Sequence, residues 1–163
     1  MTATPATSAY EIVLAVHVMA VVIAFGWTFT QPVVFAVASR RDPRSLPVLH
    51  RIEYTVSRVI LNPTLLVVLG AGIYMASDGH HWSEFFVQWG IGAVVVIGAL
   101  VGSVLIPAAK LAEEAARADL QGFSGGDFQP GEAYRAATRR LNVVGSAASL
   151  LVLVTILFMV IKP

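Results

Sequence analysis

The sequence of 163 residues contains no cysteine, which excludes disulfides, thiolate metal sites and thiol chemistry. Charge is also scarce: Asp, Glu, Lys and Arg make up 13% of the chain, about half the usual ~25% of a soluble domain. With a formal net charge of +1 there is no basic field to hold a polyanion, so no nucleic-acid partner is implied. Missing too are a nucleophile–base pair, a phosphate-cradling glycine loop and paired acidic residues within an apolar run. Soluble-enzyme chemistry is therefore not written here. No basic residue precedes the first apolar run, unlike the positive start of a cleaved signal peptide. That run is predicted to be a retained membrane span.

What the chain has instead is apolar surface, 56% of its residues, with a mean hydropathy of +0.74. Four runs carry it: about Ile12 to Ala38, Val59 to Ala76, Phe85 to Ala109 and Leu141 to Ile161. A helix needs ~20 apolar residues to cross the hydrocarbon layer, and all four runs approach or exceed that length. Barrel strands would alternate apolar and polar residues, whereas AVVVIGALVGSVLIP is apolar throughout. The expected fold is all-α: a single integral membrane four-helix bundle with spans at about 9–38, 54–76, 85–116 and 134–161.

Basic residues set the expected orientation. Arg40, Arg41, Arg44 and Arg51 lie between the first two runs, and Lys110, Arg117, Arg135, Arg139 and Arg140 between the last two. The N-terminal tail and the Ser77–Glu84 link have none. Lys and Arg accumulate on the cytoplasmic side, so both termini are expected outside, with the chain in the inner (plasma) membrane and lipid as its main partner. Lys110, Glu113, Glu114 and Arg117 have i,i+3/i+4 spacing. That spacing predicts a third helix running past the membrane to the breaker cluster at Gly122. Gly98 with Gly102, and Asn142, Gly145, Ser146 and Ser149, read as close-packing faces, and the first pair also permits a homo-oligomer. Pro32 and Pro107 would end spans one and three as a weak internal repeat.

An ionisable group inside a span is a functional candidate by default, and His17 is the clear instance. It could bond a neighbouring helix or ligate a metal such as heme iron. His50 lies near the opposite surface, on the order of 20 Å from His17 along the membrane normal, too far to share one iron. His80 and His81, with Asp78, Glu84 or Glu11, offer a hydrated metal site on the outer side, or are simply solvated. Met19 and Met75 are soft donors or apolar filler. Glu53, Arg58 and Asn62 form an interfacial set, Glu53 paired to a basic neighbour and Arg58 snorkelling. Alternatively Arg58 holds an anionic group such as a heme propionate. Trp27, Trp82, Trp89, Tyr10 and Tyr74 read mostly as an outer aromatic belt.

The stretch HVMAVVIAFGWTFTQPVVF, with His17, Phe25, Pro32 and Phe35, resembles the first helix of the HemJ-type protoporphyrinogen oxidases and the related CopD-type copper-resistance membrane proteins. Glu53, Ile60 and Pro63 match the spacing of a glutamate, an isoleucine and a proline on a HemJ-type second helix, and Arg140 and Asn142 open the last helix similarly. The resemblance covers nearly the whole chain. Its best fit is a family of predicted bacterial four-span membrane proteins on the same fold. It implies a four-helix bundle with heme b ligated by His17. It does not imply a complete oxidase. The tryptophan, arginine and lysine of that site correspond here to Ala24, Val33 and Ala93, and Val143 and Gly145 follow the last-helix asparagine.

Three functions follow as expectations. One is a heme b protein in electron transfer or tetrapyrrole handling, with a membrane redox partner. Another is a CopD-like copper handler using His17, Met19, His80 and His81. The third is a structural or accessory bundle without a cofactor, in which His17 only bonds its neighbour.

Overall fold

A computed structural model describes residues 8–124 and 128–162. Among these residues the chain forms four long helical rods, each with the length and apolar character to cross a membrane. Helix α1 (Ala9–Arg41) is the first rod. A 3₁₀ turn (Pro43–Ser45), α2 (Leu46–Val56), a π-helical turn (Ser57–Leu61) and α3 (Asn62–Asp78) run on as the second. The third joins α4 (Phe85–Leu100) to α5 (Ile106–Gln121) through another π turn (Val101–Leu105), and α6 (Glu132–Ile161) is the fourth. At ~1.5 Å per residue, even the shortest rod outreaches the ~30 Å hydrocarbon core.

Local chemistry explains the rod ends and bends. Ser8 accepts from the Glu11 amide while the Glu11 carboxylate accepts from the Ser8 amide, a reciprocal cap that starts α1. Both π turns stand just before a proline at the second position of the following helix, Pro63 and Pro107. Proline has no amide hydrogen, and its ring crowds the carbonyl four residues back. The chain widens there, so that Asn62 and Ile106 donate to carbonyls five residues back, those of Ser57 and Val101. Neither Pro32 nor Pro107 ends a span: α1 continues to Arg41 and the third rod to Gln121. The predicted repeat of terminal prolines therefore gives way to matched π turns in rods two and three.

The packing has three levels. At the basic end, α2, α5 and α6 meet through Leu46, Ala108, Ala109, Ala112, Ala116, Tyr134 and Leu141. These alanines let the backbones approach closely, the means by which helices associate where lipid removes the hydrophobic drive. In the middle, Ala24, Leu61, Leu65, Ile97, Val101 and Val152 form a second core. At the end bearing the termini the helices part and leave a cavity, and beside it Phe85 and Trp89 of α4 pack on Phe158 of α6. Trp89 and Phe158 meet edge to face at 5.1 Å, and Trp89 Nε1 donates to Thr155 Oγ1 at 3.2 Å. Large apolar side chains such as Val22, Leu66, Val95 and Leu150 point outward. An apolar surface of that extent belongs in lipid.

Two expected packing faces are turned the other way. A β-carbon placed on Gly98, Gly102 or Gly145 meets nothing within 4 Å, and Asn142 and Ser146 are exposed. The inward positions of those helices belong to Ala93, Ile97, Val101, Ala148 and Val152 instead. The third rod runs on to Gln121 as expected, with Arg117 on Glu113 at 2.7 Å.

Candidate functional site

Among the described residues, two polar groupings at opposite ends of the bundle stand out. The first is His17. It lies on the α1 face that repeats every seven residues through Ala24 and Gln31, and this face packs on α3. Its Nδ1 stands 3.0 Å from the Val68 carbonyl oxygen. A carbonyl can only accept, so Nδ1 carries the ring hydrogen and Nε2 is left as the acceptor. Nε2 has no hydrogen-bonding partner among the described residues. Gly72, one turn along α3 from Val68, leaves space against the ring: a β-carbon there would sit 3.7 Å from His17 Cε1.

His17 lines a cavity of about 470 Å³ between α1, α3, α4 and α6, within the usual ~300–1,000 Å³ of small-molecule sites. Its walls are apolar: Val21, Phe25, Val68, Val94, Ile97 and Val152 close the inner part, and Met75 and Met159 flank it. Gly90 makes room for Met159, whose methyl would lie 2.0 Å from a β-carbon at that glycine. Polar groups gather at the mouth, namely Tyr10, His81 and Lys162. A second groove of about 550 Å³, between α5 and α6 at the basic end, is lined by alanines with Leu111, Glu114 and Arg140 and has no metal-ligating nitrogen.

His81 reaches the cavity because the loop folds back. Its amide donates to the Ala76 carbonyl at 2.9 Å, and His80 takes the left-handed region (φ 56°) to allow this. The His81 ring then lies over Gly79, where a β-carbon would be 2.5 Å from Cδ2. Of the expected outer metal set, Glu11 is engaged in the α1 cap, and Met19 is 57% exposed on the lipid-facing side. Among the described residues no group of three or more His, Asp and Glu is placed to hold a metal ion.

The second polar feature lies about 21 Å further along α1, at Gln31. There Gln31 Nε2 donates to Glu53 Oε1. Glu53 Oε2 stands 2.9 Å from His50 Nδ1, and His50 Nε2 stands 3.1 Å from Tyr134 Oη. His50 is 1% and Glu53 6% exposed, and the Phe35 ring lies 4.7 Å from that of His50. One proton arrangement satisfies the chain: Nδ1–H donates to the carboxylate and Tyr134 O–H donates to Nε2. The sequence alone places His50 in a link ahead of the span and Glu53 at the interface. Instead both are buried within α2, because Leu46, His50, Glu53 and Ser57 form one inward stripe that continues through Leu61, Leu65 and Val68.

Arg58 parts company with Glu53. It is exposed on the π turn, with its guanidinium donating to Tyr54 Oη at 2.8 Å, and does not line the cavity. Trp27 Nε1 is buried in mid-helix with no partner among the described residues.

The cavity thus carries one imidazole, held by the Val68 carbonyl, in otherwise apolar walls. No curated protein and no solved structure matches the chain. Residues 11–163 match the family model described as "Predicted integral membrane protein (DUF2269)", and with nearly the whole length covered, the chain belongs to that family.

Proposed function

We propose that this membrane protein binds heme b in the cavity beside His17 and serves electron transfer or tetrapyrrole handling. The observation that carries the reading is the His17–Val68 hydrogen bond. It fixes the ring tautomer and leaves Nε2 as a lone-pair donor in the wall of an apolar cavity. A bound heme would supply one-electron chemistry at its iron. The chain's own contribution is to orient the imidazole through the Val68 carbonyl, exclude water with Val21, Phe25 and Val94, and keep the wall beside the ring free of a side chain at Gly72.

The residue pattern His17, Phe25, Pro32 and Phe35, with its likeness to HemJ- and CopD-type proteins, supports the same reading. The family match speaks for residence in the membrane. A complete protoporphyrinogen oxidase is not proposed, since Ala24, Val33 and Ala93 stand at the positions of that site's tryptophan, arginine and lysine.

The first test is an absorption spectrum of the detergent-purified protein, oxidised and dithionite-reduced, with metal analysis. A Soret band with about one iron per chain supports heme. Copper without a Soret band would favour the CopD-like reading, and neither would favour a structural bundle.

We also infer that both termini lie outside the cytoplasm, in the inner (plasma) membrane. The basic residues gather at the opposite end, around Arg40 to Arg44 and Lys110 to Arg140. A periplasm-active reporter fused after Pro163 is expected to be active, and one inserted at Gly125 silent. The reverse pattern would overturn the orientation.

A further inference from the structure

The mouth of the cavity differs from its walls. Three polar side chains converge there from three places in the chain: Tyr10 at the start of α1, His81 from the loop after α3, and Lys162 at the end of α6. Phe86 forms the sill between two of them, with the His81 ring 6.4 Å from its centroid and Lys162 Nζ 5.5 Å away. The acidic residues nearest in sequence to these elements, Glu11, Asp78 and Glu84, do not line the cavity.

A lysine at the end of a span ordinarily extends its ammonium into water or among headgroups. Lys162 is exposed in this way, yet it also folds back to line the cavity. Its backbone turns into the left-handed region (φ 51°, ψ 58°) while its amide caps the Phe158 carbonyl at 2.9 Å. Its side chain then lies back across Phe86. No carboxylate among the described residues pairs with it. Among the described residues its ammonium meets the Phe86 face, which attracts a cation weakly at such a distance.

We propose that this mouth is an acid-recognising subsite, in which Lys162 Nζ, with Tyr10 Oη and His81 beside it, holds the carboxylate edge of an amphiphilic ligand whose apolar body fills the cavity. The inference rests on the heme reading and deepens it: the ligand enters apolar edge first and keeps its propionates at the end bearing the termini. His17 and Lys162 then act on opposite parts of one molecule, the imidazole on the metal and the ammonium on the acid. Arg58, outside the cavity, has no part in holding it.

The test compares hemin with hemin dimethyl ester, in which the propionate charges are removed and the ring is kept. Each is titrated by its Soret band into the full-length protein in detergent, for the native chain and for Lys162→Ala and Lys162→Arg. The native chain is expected to bind hemin roughly tenfold more tightly than the diester, the scale of one charge-assisted contact. Lys162→Ala should lose that preference by weakening hemin alone, and Lys162→Arg should keep it. Equal weakening of both ligands by Lys162→Ala, or an unchanged preference, would overturn the subsite while leaving heme binding intact. Binding of neither ligand to a native chain of normal gel-filtration profile and helix content would overturn the heme reading, and the subsite with it.

Discussion

Replacing Glu53 by alanine is expected to destabilise the protein by about 3 kcal/mol, the largest loss of any single polar change in the chain. Glu53 is the shared acceptor of a buried chain that ties three rods together: Gln31 of α1, His50 of α2 and, through His50, Tyr134 of α6. Alanine leaves the part-buried Gln31 amide and the buried His50 ring without that acceptor and opens a void between them. At 1% exposed, the imidazole cannot turn to water instead. Glu53→Gln should cost much less, about 1 kcal/mol. The imidazole can exchange tautomers, accept from the new amide at Nδ1 and donate from Nε2 to Tyr134 Oη. Thermal unfolding in detergent distinguishes the two, with a fall of roughly 6–12 °C for alanine and a few degrees for glutamine. Equal and small shifts would mean that the chain is not a structural tie.

Ala112→Leu should be nearly as damaging, at about 1–3 kcal/mol. Ala112 has no exposed surface and lies among Ala108, Ala109, Ala116, Leu46 and Tyr134. In lipid, helices gain nothing from merely hiding apolar groups, so close backbone approach must hold them together. Three added carbons would part α5 from α2 and α6, and would draw Tyr134 away from His50. The neighbouring exchange Leu111→Ala makes a sharp control. Leu111 is 54% exposed on the outer face, and its truncation should leave the melting temperature within about a degree or two. If Ala112→Leu melts like the native chain, the alanine-packed interface is misdescribed.

The spans were legible because uninterrupted hydropathy is a local property: α1 begins and ends within a few residues of where composition changes, and α6 ends there too, although it starts at Glu132, well before Leu141. His17 was legible for the same reason: an imidazole stands out against an apolar run. The cavity beside it was not, because its lining comes from four rods and depends on where they separate. His50 and Glu53 were hidden by their company. Arg40, Arg41, Arg44 and Arg51 make the surrounding segment read as a polar link, although the second rod already begins at Pro43. A signal was present in the spacing. Extending the inward stripe of the second span backward from Val68 through Leu65, Leu61 and Ser57 arrives at Glu53, His50 and Leu46. The glycine-rich faces misled for the converse reason: small residues permit close packing, but only the arrangement of neighbours decides whether a helix comes near.

What occupies the cavity is read most directly from the oxidised and reduced absorption spectrum of the native protein beside His17→Ala, each purified from cells supplied with hemin. A Soret band is expected in the native protein, shifted on reduction, and lost or reduced at least tenfold in a variant that still purifies as a folded bundle. A native protein with no Soret band would contradict heme ligation by His17. So would a band of equal strength and position in His17→Ala, since the imidazole held by Val68 would then not be the ligand.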